Sequence, residues 1–208
     1  MRKLSSFLIC ASIAAAVPAF GDAIPLLNAD IETNSSGQFG RIDGWGPNGG
    51  WADHASFARP NNGTLGVNFG FYSAGTTETV GQLTTAIIQP GAVYTFRAWA
   101  QGGGNDVGTV PFQIGYAATT GDLASFVALA TQTYVVGNAW EDLAGVTYTT
   151  GAAGPEIGKE LIVRLGDGAA GGSDDIWFDN FSASFVPEPG SLVLLAAGAG
   201  LLLRRRSR

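Results

Sequence analysis

Apolar and polar residues alternate along most of this chain. Tyr94, Phe96, Ala98 and Ala100 share one side of a stretch whose other side carries Val93, Thr95, Arg97 and Trp99. Val110, Phe112, Ile114 and Tyr116 alternate with Pro111, Gln113 and Gly115. Trp177, Asp179, Phe181, Ala183 and Phe185 alternate with Ile176, Phe178, Asn180 and Ser182. A period of two puts successive side chains on opposite faces, which is the pattern of half-buried β-strands. Further strand-like runs cover 26–32, 65–71, 80–88, 125–134, 140–148 and 159–165. Gly, Pro and Asn separate them at 49–50, 60–63, 90–91, 102–104 and 151–155, where turns need φ values or donor patterns that strands cannot supply. Between the two ends no window of helical length shows a 3.6-residue period. About nine short strands at regular spacing predict one all-β domain, a jelly-roll β-sandwich, over residues 22–185.

Both ends depart from the alternation. Arg2 and Lys3 precede an apolar run over 4–19 that is interrupted only by Ser5, Ser6 and Ser12, and small residues follow at Ala19 and Gly21. That is the layout of a secretory signal peptide, a short helix over 1–21 removed on export. The other end reads Val186, Pro187, Glu188, Pro189, Gly190, an apolar segment over 191–203 and a basic tail over 204–208. Pro187 and Pro189 fix φ and remove two amide donors, so the start of this segment stays extended. Leu192 to Leu203 can enter a bilayer as a helix, and Arg204, Arg205 and Arg206 stop it and hold the C-terminus on the cytoplasmic side. From Gly190 to Leu203 there are 14 residues, about 21 Å of helix against a hydrocarbon core of about 30 Å, which suits a transient anchor.

Charge narrows the partners. Arg41, Arg59, Arg97, Lys159 and Arg164 face sixteen acids within 22–185, so the domain carries about −11 where the whole chain carries −6. Nucleic acid and anionic membrane surfaces are repelled by that field, whereas divalent cations and neutral sugars are not. Cys10 lies in the signal segment, so the exported domain has no cysteine and no disulfide. Five tryptophans among abundant glycines fit aromatic strands joined by glycine turns.

The order Val-Pro-Glu-Pro-Gly, apolar segment, arginines resembles the PEP-CTERM sorting signal of Gram-negative bacteria. The resemblance implies an exosortase as partner, a transient stay in the inner membrane, and release to the cell surface or extracellular matrix in association with exopolysaccharide. Within the domain, the stretches 27–32, 89–100 and 176–181 resemble the landmarks of galactose-binding-like jelly rolls, particularly the carbohydrate-binding modules of secreted enzymes, although Ala29 stands where those have Gly. This resemblance implies a structural calcium joining the first and last strands through Glu32 and Asp179, a chemistry that suits six to eight hard oxygen ligands.

Sugar binding needs exposed aromatic platforms with polar neighbours. Trp45 and Trp51, in a polar stretch with Asn48, Asp53 and His54, are the candidates, with Tyr72 behind them; the alternative is that at least one of these tryptophans fills the core. The stretch 166–175 reads as an acidic loop, because a calcium-binding β-roll needs stacked copies of such a repeat. Enzyme signatures are missing: His54 is the only histidine, and Glu141-Asp142 are neighbours that a strand would send to opposite faces. The reading is an exported, non-enzymatic envelope or matrix protein. The alternatives are a dedicated carbohydrate-binding module and, behind it, a glycoside hydrolase or lyase whose two carboxylates converge from separate loops.

Overall fold

The structure is a computed structural model that describes residues 21–31, 40–46, 51–53, 69–73, 79–102, 107–166 and 175–187. Twelve strands follow in order: β1 Asp22–Ile24, β2 Gly40–Arg41, β3 Trp51–Asp53, β4 Phe69–Ser73, β5 Val80–Ile87, β6 Ala92–Gly102, β7 Gly108–Ala117, β8 Phe126–Val136, β9 Glu141–Asp142, β10 Val146–Thr149, β11 Glu160–Leu165 and β12 Asp175–Pro187. They form two antiparallel sheets. The larger has the order β10-β6-β12-β4-β3-β2, with β1 added to β12 and β9 to β6; the smaller is β5-β11-β7-β8. This is the all-β sandwich that the alternation predicts. Both terminal helices expected from the sequence lie outside the described residues, among which no helix is long and apolar enough to cross a membrane.

The core lies between the sheets. Tyr94, Phe96, Ala98 and Ala100 of β6 face Val110, Phe112 and Ile114 of β7 and Leu161, Val163 and Leu165 of β11, all buried. The Phe96 and Phe112 rings meet at 5.7 Å, and Tyr134 closes edge-on against Phe112 at 5.6 Å. Each such aromatic contributes about 1.5–3 kcal/mol by leaving water, plus about 0.5–1.5 kcal/mol from ring pairing.

Two departures from the sequence pattern matter for function. The strand expected over 140–148 is split into β9 and β10, because Gly145 turns with φ 75° and lies against the Phe96 carbonyl, where a Cβ would collide. The run 26–32 does not continue β1 as a strand. Residues 27–30 form a turn, Asn28 and Ile31 take φ 47° and 57°, and Ile31 is fully buried. A left-handed β-branched residue is strained, so the turn is held by its surroundings. Ile31 N donates to Asn28 O (3.1 Å), and Phe181 N donates to Ala29 O (2.8 Å), fastening the turn to the last strand.

Candidate functional site

The outer face of the four-stranded sheet carries a row of hydrogen-bonded side chains that crosses three strands, with Gln113 at its centre only 5% exposed. On β7 and β11 the core takes Val110, Phe112, Ile114, Leu161, Val163 and Leu165, so alternation sends Gln113, Gly115, Ile162 and Arg164 outward. Register then assembles them. Arg164 pairs with Gln113, and Gln113 pairs with Thr131 of β8. Side chains follow the backbone: Arg164 Nε donates to Gln113 Oε1 (2.7 Å), and Gln113 Nε2 donates to Thr131 Oγ1 (3.1 Å). The row crosses three strands at about 4.8 Å per step.

An aromatic ring flanks this row. Gly115 leaves space that a Cβ would fill, and the Phe126 ring lies there. The Arg164 guanidinium covers that ring at 3.9 Å from its centroid. A cation over an aromatic face adds about 0.5–1 kcal/mol at an exposed site and holds the guanidinium flat. Phe126 reaches this side because β8 slips register between the partners of Ile114 and Gly115, an irregularity that lets Leu129 and Ala130 both pack on the core. At the strand end, Glu160 accepts from Gly121 N (2.6 Å), tying the 118–125 turn to the same face. Asp122 caps the short 3-10 turn Leu123–Ser125 by accepting from Ala124 N (2.9 Å). The result is a row whose amide is buried at its centre, with the exposed Thr131 and the half-buried Arg164 and Phe126 reaching solvent in fixed positions.

Sequence reasoning placed the sugar platform elsewhere. Trp45 is 4% exposed and stacks on Phe181 at 4.1 Å, while its indole N–H donates to Leu27 O at 2.9 Å. It fills the core, the alternative left open above, and the expected exposure is not met. The cause is the 27–31 turn, whose carbonyls satisfy a buried indole that would otherwise seek water. Trp51 lies on β3, which pairs with β4; its side chain, like Tyr72, Asn48 and His54, lies outside the described residues. Row formation across β11, β7 and β8 depends on register between distant segments, so no local signal singled out Arg164, Gln113 or Phe126.

Asp179 is fully buried, and its Oδ1 accepts from Asn180 N at 2.6 Å. Its Oδ2 is also removed from water. It sits where β12 shifts register between Asp179 and Ser182, with Asn180 at φ 48° and the 27–31 turn fastened two residues further on. A buried carboxylate beside carbonyl-rich turns fits the hard-oxygen preference of calcium. Glu32, the expected second ligand, follows that turn directly and lies outside the described residues; among those described, no three His, Cys, Asp or Glu side chains gather for a metal.

A second buried acid is structural. Glu156 is 5% exposed and accepts from Tyr148 Oη (3.1 Å), folding back over Gly154, where a Cβ would collide with its carboxylate. Burial and the adjacent Glu156 charge push the Tyr148 hydroxyl up.

Comparison with known proteins follows the same lines. Several solved structures share the fold: a cyclase from Fischerella sp. TAU (19% identity, 81% of this chain and 99% of that one, TM-score 0.62); a cyclase from the same source in complex with 4-(1H-indol-3-yl)butan-2-one (19% identity, 80% and 98%, TM-score 0.59); and an arabinose-bound α-L-arabinofuranosidase (17% identity, 78% and 26%, TM-score 0.53). At these identities the likeness is one of fold. No curated protein matches the chain in sequence. Residues 185–206 match the PEP-CTERM protein-sorting motif. The carbohydrate binding domain model CBM_4_9 spans residues 26–169, the greater part of the sandwich, and the chain therefore belongs to that family.

Proposed function

We propose that this protein is a non-enzymatic glycan-binding component of the cell surface or extracellular matrix of a Gram-negative bacterium, exported by its signal peptide and sorted through its tail by an exosortase. The observation that carries the binding half is the Arg164–Gln113–Thr131 row beside Phe126 on the outer face of the four-stranded sheet, where Thr131 and the half-buried Arg164 and Phe126 would meet the sugar and the buried Gln113 would position them. Family membership supports a sugar as ligand, and the net negative domain favours a neutral polysaccharide, including exopolysaccharide, over a polyanion. Trp51 remains a second candidate contact on sequence grounds. The sorting motif supports the other half: a short stay in the inner membrane, with Val186 to Gly190 as the recognised sequence and Arg204 to Arg206 as the stop. A calcium ion held by Asp179 and Glu32 would bind the first turn to the last strand, in a domain with no disulfide to do so.

Affinity electrophoresis of the domain through gels containing neutral polysaccharides tests the binding. The wild type is retarded, Arg164→Ala and Gln113→Ala are not, and all three remain folded by circular dichroism. Equal migration of wild type and variants removes this face from the proposal, and release of reducing sugar by the wild type would show a hydrolase instead. Intact mass of the protein from its native host, with and without the exosortase gene, tests sorting: an unchanged tail in both strains overturns it.

A further inference from the structure

Both ends of the domain leave from the same pole, and that pole differs chemically from the rest of the molecule. β1 runs antiparallel to β12, with Asp22 opposite Phe185, so the start of the domain lies beside its end. The contact is close: a Cβ placed on Gly21 would meet Val186 Cγ2 at 3.1 Å. On the other flank, Val186 and Pro187 pair with Val93 and Ala92 at the start of β6, and Thr149 of β10 pairs with Val93. The loops at this exit are locked to each other. Ala92 N donates to Thr150 Oγ1 (2.8 Å), Thr150 N donates to Ala92 O (2.9 Å), and Gly91 N donates to Gly151 O (3.2 Å). Residues 88–91 and 150–155 carry no charge, and Gly151, Ala152, Ala153, Gly154 and Pro155 are all exposed. The first acid beyond them, Glu156, is turned inward onto Tyr148. Other charges at this end are Asp22, Lys159, Asp122 and Glu160; the last two hold backbone amides.

We propose that this pole, with its uncharged rim of residues 88–91 and 150–155, is the surface that rests on the phospholipid headgroups while the C-terminal segment is inserted, so that the sandwich stands upright on the membrane. This rests on reading 191–203 as a membrane segment. Between Pro187, the last residue of β12, and that segment's apolar core at Leu192 there are only residues 188–191, a reach of about 14 Å when extended. β6 alone, with 11 residues, spans about 33 Å from this pole to the other. The link therefore brings this end, and no other, to the membrane surface. At this end only Asp22, Asp122, Glu160, Lys159 and the inward-turned Glu156 approach the headgroups, whereas tipping the domain onto a side would bring more of its sixteen acids within a Debye length, about 10 Å, of anionic lipids.

Single cysteines in the exported chain from Asp22 to Arg208, which has no cysteine of its own, test the orientation. Ala153→Cys marks this pole. Asn138→Cys marks the opposite one, where Gly102 N donates to Gly137 O (2.7 Å) at the far end of β6. Each is labelled with a donor fluorophore and reconstituted into phosphatidylglycerol vesicles containing acceptor-labelled lipid. Energy transfer from position 153 at least twice that from position 138 is expected. Equal or reversed transfer from protein that floats with the vesicles overturns the upright orientation. Protein that does not float overturns the membrane-segment reading, and the proposal with it. Adding Ala152→Glu to the 153 label should lower its transfer in phosphatidylglycerol vesicles and leave it unchanged in phosphatidylcholine vesicles; an equal response in both would show that the pole does not meet the lipid charge.

Discussion

The two sheets use the same alternation to opposite ends. In the four-stranded sheet, β7 and β8 pair over ten positions, and the outward residues form a continuous hydrogen-bonded row. In the eight-stranded sheet only β6 and β12 are long; β1, β2, β3 and β9 are patches of two or three residues. One sheet displays a surface, and the other gathers the two ends of the domain. The lesson is that inward positions are interchangeable between the sheets, because both need only apolar volume, whereas outward positions acquire a role from which strand lies alongside.

Phe112→Ala should erase the distinction. Phe112 is fully buried, touches Phe96 across the sandwich, and belongs to the core of both sheets. A loss of about 3–5 kcal/mol is expected in urea unfolding. A loss under 1 kcal/mol would mean that the sheets do not depend on each other. Asp179→Asn acts on the eight-stranded sheet alone. If calcium binds there, saturating the wild type at a hundredfold excess over Kd adds about 2.7 kcal/mol, read as a rise in Tm that chelator reverses and the variant lacks. A wild type indifferent to calcium and chelator ends that part of the proposal.

Arg164→Ala acts on the other sheet's surface. Stability should fall by about 1–3 kcal/mol, because the buried Gln113 oxygen loses the Arg164 donor and Phe126 loses its cation, while glycan affinity falls about tenfold. Unchanged glycan affinity in a variant that remains folded would make the row a strut rather than a site. The smallest effect is alkaline. Burial pushes the Tyr94 hydroxyl up from its usual value near 10, with the Gln89 amide opposing it. The unfolded chain then releases this proton first, so the Tyr94 contribution is complete below about pH 10 and declines as pH rises through the folded value. Tyr94→Phe should flatten that decline in a pH series of melting curves.

How much of this was legible beforehand follows from what each feature depends on. The inward faces of β6 and β7 could be read directly, since alternation is local and burial obeys it. β12 could not be read straight through. Ile176 and Phe178 point to the core, then a register shift at Asp179 to Ser182 hands the core to Phe181 and Ala183, so one unbroken period of two was the wrong description. Trp45 was misplaced for a similar reason: its burial depends on the Leu27 carbonyl, eighteen residues away, in a turn that reads as strand. Arg164, Gln113 and Phe126 gain their arrangement only when β11, β7 and β8 are laid side by side. The sorting tail was legible because an enzyme and a bilayer read it as a linear string.

The pairing of β1 with β12 also sets a schedule. β12 lies between β6 and the strands on its other flank, so the larger sheet stays open until the last thirteen residues of the domain have crossed the membrane. If the apolar segment 191–203 stops transfer as proposed, those residues emerge only three ahead of it. On that reading the sandwich would close at the moment translocation ends, at the mouth of the export channel. Any protease or chaperone on that side meets an unfinished chain for almost the whole of its passage.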